Sequence, residues 1–206
     1  MFKRRCKITF VCHGSTIYST ERRLYDRLDY PPLDENGKEE IQNLAHWLKK
    51  SSSKNDAIYV SPTLRSIQSA EIIAKKYGQE FEIMDELKPK DEGLWGALSF
   101  EEIQEKYPGE LELYHQDPIK NNFPKAESIA TFNKKNLKTL EKIIGNNLQK
   151  RIIIVADQSY IRSIVTQALD IPVENHFKIR IPTGSATQVN FYKTWNSLIY
   201  SGYVPS

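Results

Sequence analysis

Four consecutive β-branched residues, Ile152-Ile153-Ile154-Val155, constrain the fold of this chain more than any other stretch. A strand points its side chains alternately to two faces, so an unbroken apolar run needs cover on both. Ile8-Thr9-Phe10-Val11 and Ala57-Ile58-Tyr59-Val60 have the same character. Between and after them lie helical patterns: Ile41, Leu44, Ala45 and Leu48; then Leu64, Ile67, Ile72 and Ile73, stopped by Gly78. Ile129, Phe132, Leu137, Leu140 and Ile144 form another, and Ile161, Ile164, Val165 and Leu169 the last. Short strands are predicted near 81–83 and 186–192, and Ser99 with Glu102 reads as a capping box for a helix ending at Pro108. Covered strands alternating with helices predict an α/β fold. The expected form is a three-layer sandwich, with a mostly parallel central sheet and helices on both faces.

A chain of 206 residues, 39% of them hydrophobic, has enough apolar material for one domain over 1–206. The charged, aromatic stretch around 85–128 is expected to leave the main core as a lid or small subdomain. A formal charge of +3 gives no general case for nucleic acid or membrane binding. The two cysteines, Cys6 and Cys12, fall an even number of residues apart on one strand, so they share a face without reaching each other. No membrane-length apolar run, signal-peptide core or zinc spacing occurs, so a cytoplasmic protein without cofactor is expected.

In a parallel sheet the strand C-termini share one edge, where ligands bind. Three strand ends here are polar: Cys12-His13-Gly14-Ser15-Thr16, then Ser61 with Arg65 just inside the next helix, then Asp157-Gln158-Ser159. An arginine fork beside free helix N–H groups suits an anion. Each feature also has an ordinary reading: a solvated histidine, a surface cation, a turn.

Further elements tip the balance. The segment from Arg23 through Asp29, Pro32 and Leu33 to Gly37, Ser61-Pro62-Thr63-Leu64-Arg65-Ser66-Ile67-Gln68-Ser69-Ala70, Gly93-Leu94-Trp95-Gly96, Pro124 to Ser128, and His176 to Ser185 follow the His-Gly turn in order. Together they resemble the histidine phosphatase superfamily, the phosphoglycerate mutase-like proteins, over nearly the whole chain. The resemblance implies phosphoryl transfer through a phosphohistidine. Two arginines and a second histidine hold the phosphate, and a carboxylic acid protonates the leaving oxygen. His13 would be the nucleophile, and Arg65, Gly14, Ser15 and Thr16 would face the phosphate.

The chain departs from that pattern. Cys12 stands at the first-motif arginine, Asp157 at the second histidine, and Pro89 at the aligned acid, with Glu92 nearby as a weak substitute. Arginine to cysteine removes a charge and a fork of donors. Histidine to aspartate places negative charge where an anion should sit. The expectation is a catalytically degenerate member, a pseudo-phosphatase with a binding or regulatory role toward a phosphorylated small molecule or a protein. The alternative is an active phosphomonoesterase or phosphoglycerate mutase, working through a phosphohistidine at His13, in which Lys88, Lys90, Arg22 or Arg23 restores the charge and Asp91 or Glu92 the acid. A Cys12 thiolate nucleophile and a metal site built from His13, Asp157 and Cys12 are further alternatives. The resemblance also implies a homodimer and a structural His176.

Overall fold

The computed structural model describes residues 4–25 and 31–205; Asp29 lies outside them. Strand β1 (Cys6–Cys12) leads through a short helix α1 (Ile17–Thr20) to helix α2 (Glu35–Ser51). Strand β2 (Ala57–Val60), helix α3 (Leu64–Tyr77) and a two-residue strand β3 (Glu82–Ile83) follow. Helices α4 (Phe100–Lys106) and α5 (Glu110–Gln116) occupy the next segment. Helix α6 (Ile129–Asn146), strand β4 (Arg151–Ala156), helix α7 (Gln158–Ala168) and strands β5 (Ala186–Phe191) and β6 (Asn196–Tyr203) complete the order.

The six strands form one sheet in the order β3-β2-β4-β1-β5-β6. The first four are parallel; β5 and β6 run antiparallel at one edge. The α/β sandwich is therefore as the sequence predicts. Along β4, Ile152, Ile154 and Ala156 join the core under α6 and α7, while Ile153 and Val155 join the core under α2 and α3. Cys6 and Cys12 both face the first of these cores as free thiols. Burial on both faces is why these strands carry apolar residues without interruption.

Two side-chain assignments change. Leu64, expected in the buried stripe of α3, is exposed, and Ile67 and Ile72 are only partly covered. The face of α3 that meets the sheet is Ser66, Ser69, Ala70, Ile73 and Ala74, together with Arg65. Small residues let the helix approach closely, and the hydroxyls find internal acceptors, as Ser69 Oγ does at the Arg65 carbonyl. Leu137 of α6 likewise points outward. Strand β6 escapes sequence reading because it is an edge strand with one exposed face and a mostly polar sequence, interrupted at Gly202.

Between β3 and α6 the chain builds a third, smaller core from Trp95, Ile103, Tyr114 and Phe123. Trp95 stacks on Phe123 with ring centroids 3.9 Å apart. Ser99 caps α4 with the reciprocal Ser99–Glu102 bonds of a capping box. This core faces the C-terminal edge of the sheet across a cavity of about 620 Å³.

Candidate functional site

The strand register sets the site. Cys12 pairs with Ala156, and Val60 with Val155, so His13, Ser61 and Asp157 leave the ladder together. Arg65 follows Ser61 as the second residue of α3. Behind His13 the backbone of Gly14 lies against that of Gly37 at the start of α2; a Cβ on Gly14 would sit 2.2 Å from the Gly37 carbonyl oxygen. Two glycines are needed there for two backbones to touch.

His13, Arg65 and Asp157 meet as one buried cluster. The Nδ1–H of His13 donates to the Gly14 carbonyl at 2.8 Å, which leaves Nε2 as the nitrogen able to attack. Nε2 is 3.3 Å from Arg65 Nε and 3.3 Å from an Asp157 carboxylate oxygen. Arg65 Nε also donates to that oxygen at 2.9 Å, and Nη2 lies closer still. Asp157 is the N-cap residue of α7, yet its side chain makes no cap bond; it turns to the guanidinium instead. Burial opposes ionisation of Asp157. The charge of Arg65 and the contact with His13 outweigh it and hold the carboxyl down at about 2.

Tyr25 covers this cluster. Its ring lies 4.1 Å from the Arg65 guanidinium carbon and meets the His13 ring edge-on at 5.0 Å. Its hydroxyl bonds Thr16 at 2.9 Å and Ser19 at 2.8 Å. His13 and Arg65 are fully buried, and neither lines the cavity. Gly14, Ser15, Thr16 and Cys12 do not line it either. Their donors are spent inside the protein: Gly14 N–H on Ser69, Ser15 N–H on Glu40, Thr16 N–H on Ser19, and the Ser15 hydroxyl on Asp34. Cys12 is buried, and desolvation pushes its thiol well above the usual range. That environment disfavours the thiolate nucleophile. Among the described residues no group of three or more His, Cys, Asp and Glu side chains could hold a metal ion.

The cavity wall contains Asp157, Gln158 and Ser159, as the sequence places them. Pro89, the residue at the aligned acid, also lines it, as do Lys90 and Glu92. Lys90 Nζ donates to Glu92 at 2.7 Å, and burial raises the Glu92 carboxyl pKa. Arg22 and Arg23 reach the wall, whereas Lys88 pairs with Asp85 outside it. The sequence reading missed Arg162, Arg180 and the role of His176. Arg162 Nε donates to the Ile179 carbonyl at 3.0 Å and Nη2 to the Gln158 side chain at 3.2 Å. His176 is buried in the wall, and its Nδ1 has no partner among the described residues. Burial, with Arg162 and Lys90 nearby, pulls its pKa down to about 3.

The arrangement can offer donors and an aromatic surface to an anion through the wall. It does not expose the imidazole to one. Among the described residues no helix is long and apolar enough to cross a membrane.

Comparison with known proteins gives this geometry its lineage. Phosphoserine phosphatase 1 of Hydrogenobacter thermophilus is 24% identical over 193 residues, covering 94% of this chain and 90% of that protein. Human 6-phosphofructo-2-kinase/fructose-2,6-bisphosphatase 4 is 27% identical over 74% of the chain, which spans about a third (31%) of that protein's length. Among solved structures, phosphoserine phosphatase of Entamoeba histolytica with 3-phosphoglyceric acid superposes with a TM-score of 0.86 at 22% identity, covering 97% of this chain and 98% of that one. Bacillus stearothermophilus YhfR gives 0.87 at 20% identity, with 97% and 98% covered. The family model described as histidine phosphatase superfamily (branch 1) matches residues 8–200, and the chain belongs to that family.

Proposed function

We propose that this chain is a catalytically degenerate histidine phosphatase that binds a ligand in its cavity and does not turn over phosphomonoesters. One observation carries the reading: the phosphate-binding arginine kept from the family motif, Arg65, is neutralised by Asp157 and sealed under Tyr25 with His13. A phosphoryl pocket works through preorganised positive charge facing the equatorial oxygens. Here a carboxylate occupies that charge. A phosphate oxyanion about 4 Å from Asp157 would be repelled by roughly 4 kcal/mol per unit charge at an effective dielectric of 20. The attacking nitrogen already faces two side chains, and Pro89 has no proton to give. The two buried free thiols fit a reducing compartment, and the cytoplasm is the proposed location.

A second reading has its own observation. Glu92, buried with a raised pKa, stands beside Lys90 in the cavity wall, where it would serve as the acid of an active phosphomonoesterase using His13. The two readings separate in one experiment. Purified protein is incubated with p-nitrophenyl phosphate, phosphoserine and 3-phosphoglycerate, and trapped phosphohistidine is sought by acid-labile ³¹P signals. The degenerate reading expects rates at the uncatalysed background and no label. Turnover that disappears in His13→Ala would establish the active reading.

A further inference from the structure

A second, smaller pocket lies at the other end of the parallel strands. Lys7 stands at the start of β1, roughly 20 Å before His13 at about 3.3 Å per residue. Lys7 and Thr9 lie two apart on the strand, so they share the face turned toward α2 and α3. The floor of the pocket is Thr9 and Gln188, cross-strand partners whose side chains bond each other at 3.1 Å. Its walls are aromatic: Trp47 from near the end of α2, Tyr77 from the end of α3 and Tyr200 from β6. These rings are held in place. Gln188 Nε2 also donates to Tyr200 Oη at 3.2 Å, Tyr77 Oη donates to the Ser52 carbonyl at 3.0 Å, and Trp47 meets Tyr200 edge-on with centroids 5.5 Å apart. Among the described residues Lys7 is the one charged side chain lining the pocket, and its ammonium has no hydrogen-bond or ion-pair partner among them. Burial, with the charges of Arg151 and Arg4 nearby, pulls its pKa down, as befits a cation without a counter-ion.

We infer that this pocket binds a small monocyclic aromatic carboxylate, with the ring among Trp47, Tyr77 and Tyr200 and the carboxylate on the Lys7 ammonium. A partly buried ammonium beside three rings, with no carboxylate in the lining, is complementary to an anion that brings its own apolar surface. The size agrees. The pocket holds about 130 Å³, and a cavity of about 150 Å³ takes up benzene, so one six-membered ring fits and a fused pair does not. Recognition depends on both halves, since a neutral ring leaves the charge unpaired and a small anion leaves the rings uncovered. The pocket is remote from His13, Arg65 and Asp157, so it serves as a second site whether or not the chain turns over phosphomonoesters.

The test is calorimetric titration of the full chain with three probes: benzoate, its neutral amide benzamide, and acetate. Benzoate is expected to bind at least ten times more tightly than either of the others. Lys7→Met keeps an apolar stem and removes the charge, and it is expected to bring benzoate down to the level of benzamide, a loss of tenfold or more. Thermal melts establish that the variant folds. A second measurement needs no variant: saturating benzoate is expected to slow reductive methylation of the Lys7 amine in the wild-type chain at least threefold, read by peptide mass spectrometry against the other lysines. That result locates the ligand even if Lys7→Met does not fold. The inference is overturned if benzoate fails to exceed both benzamide and acetate tenfold, or if no probe binds with a Kd below about 10 mM. It is equally overturned if benzoate binds but neither responds to Lys7→Met nor protects the Lys7 amine, because the ligand then lies elsewhere, as in the larger cavity.

Discussion

His176 shows how a single side chain reports on this site. It is buried near Arg162 and Lys90, its Nδ1 has no partner among the described residues, and its pKa falls to about 3. In the unfolded chain the same imidazole titrates near 6.5. Between those values the unfolded state holds more protons, so stability drops as pH falls below about 6.5 and continues to drop toward 3. At pH 5 the loss from this residue is about 2 kcal/mol, or roughly 4–8 °C in melting temperature for a chain of this size. His176→Gln should flatten the melting-temperature slope between pH 7 and 5, and an unchanged slope would refute the assignment. His13, Arg65 and Asp157 could be brought together from the sequence, because each follows or nearly follows a strand end. Tyr25 could not: its place over Arg65 depends on a turn through polar residues with no periodicity to read. Arg162 sits well inside a helix, where an arginine ordinarily reads as surface. The spacing of four from Gln158, which puts both residues on one face of a helix that starts at the cavity, is the available signal.

Elements are held in place by backbone as much as by side chains. The turn after β1 and the first turn of α2 touch through Gly14 and Gly37, and a Cβ on Gly37 would come within 2.1 Å of the Ser15 carbonyl oxygen. Neither backbone can yield freely: Ser15 is tied to Glu40 and Asp34, and Asp34 caps α2 through the Gly37 N–H at 2.7 Å. Gly37→Ala is therefore expected to cost about 3 kcal/mol or more, as overpacking against main chain does. Denaturant unfolding of the variant checks this, and a loss under 1 kcal/mol would show that the turn adjusts. Strand and helix positions were readable wherever both faces of an element are buried, as in β4, or wherever a capping pair marks an end, as at Ser99. Reading failed where burial and hydrophobicity part company. The core face of α3 is made largely of serine and alanine, and β6 lies half exposed at an edge.

At the scale of the molecule, the cavity lies between two cores of unequal size. The sheet is covered on both faces by long helices, whereas Trp95, Ile103, Tyr114 and Phe123 form a small cluster around which α4 and α5 wrap. Small clusters with short helices open at lower free energy than central strands. Amides of α4 and α5 should therefore exchange with deuterium well before those of β1 and β4. Trp95 is fully buried and stacks on Phe123, so Trp95→Ala removes the centre of the cluster at a cost of about 3–5 kcal/mol. If the two cores are separable, that variant loses protection in α4 and α5 while β1 and β4 keep theirs. Phe123 also lines the cavity, so binding of any cavity ligand should weaken in the same variant. Equal loss of protection in the strands would mean one cooperative unit. The cavity would then be a rigid cleft in a single core, and binding could not be tuned through the smaller cluster alone.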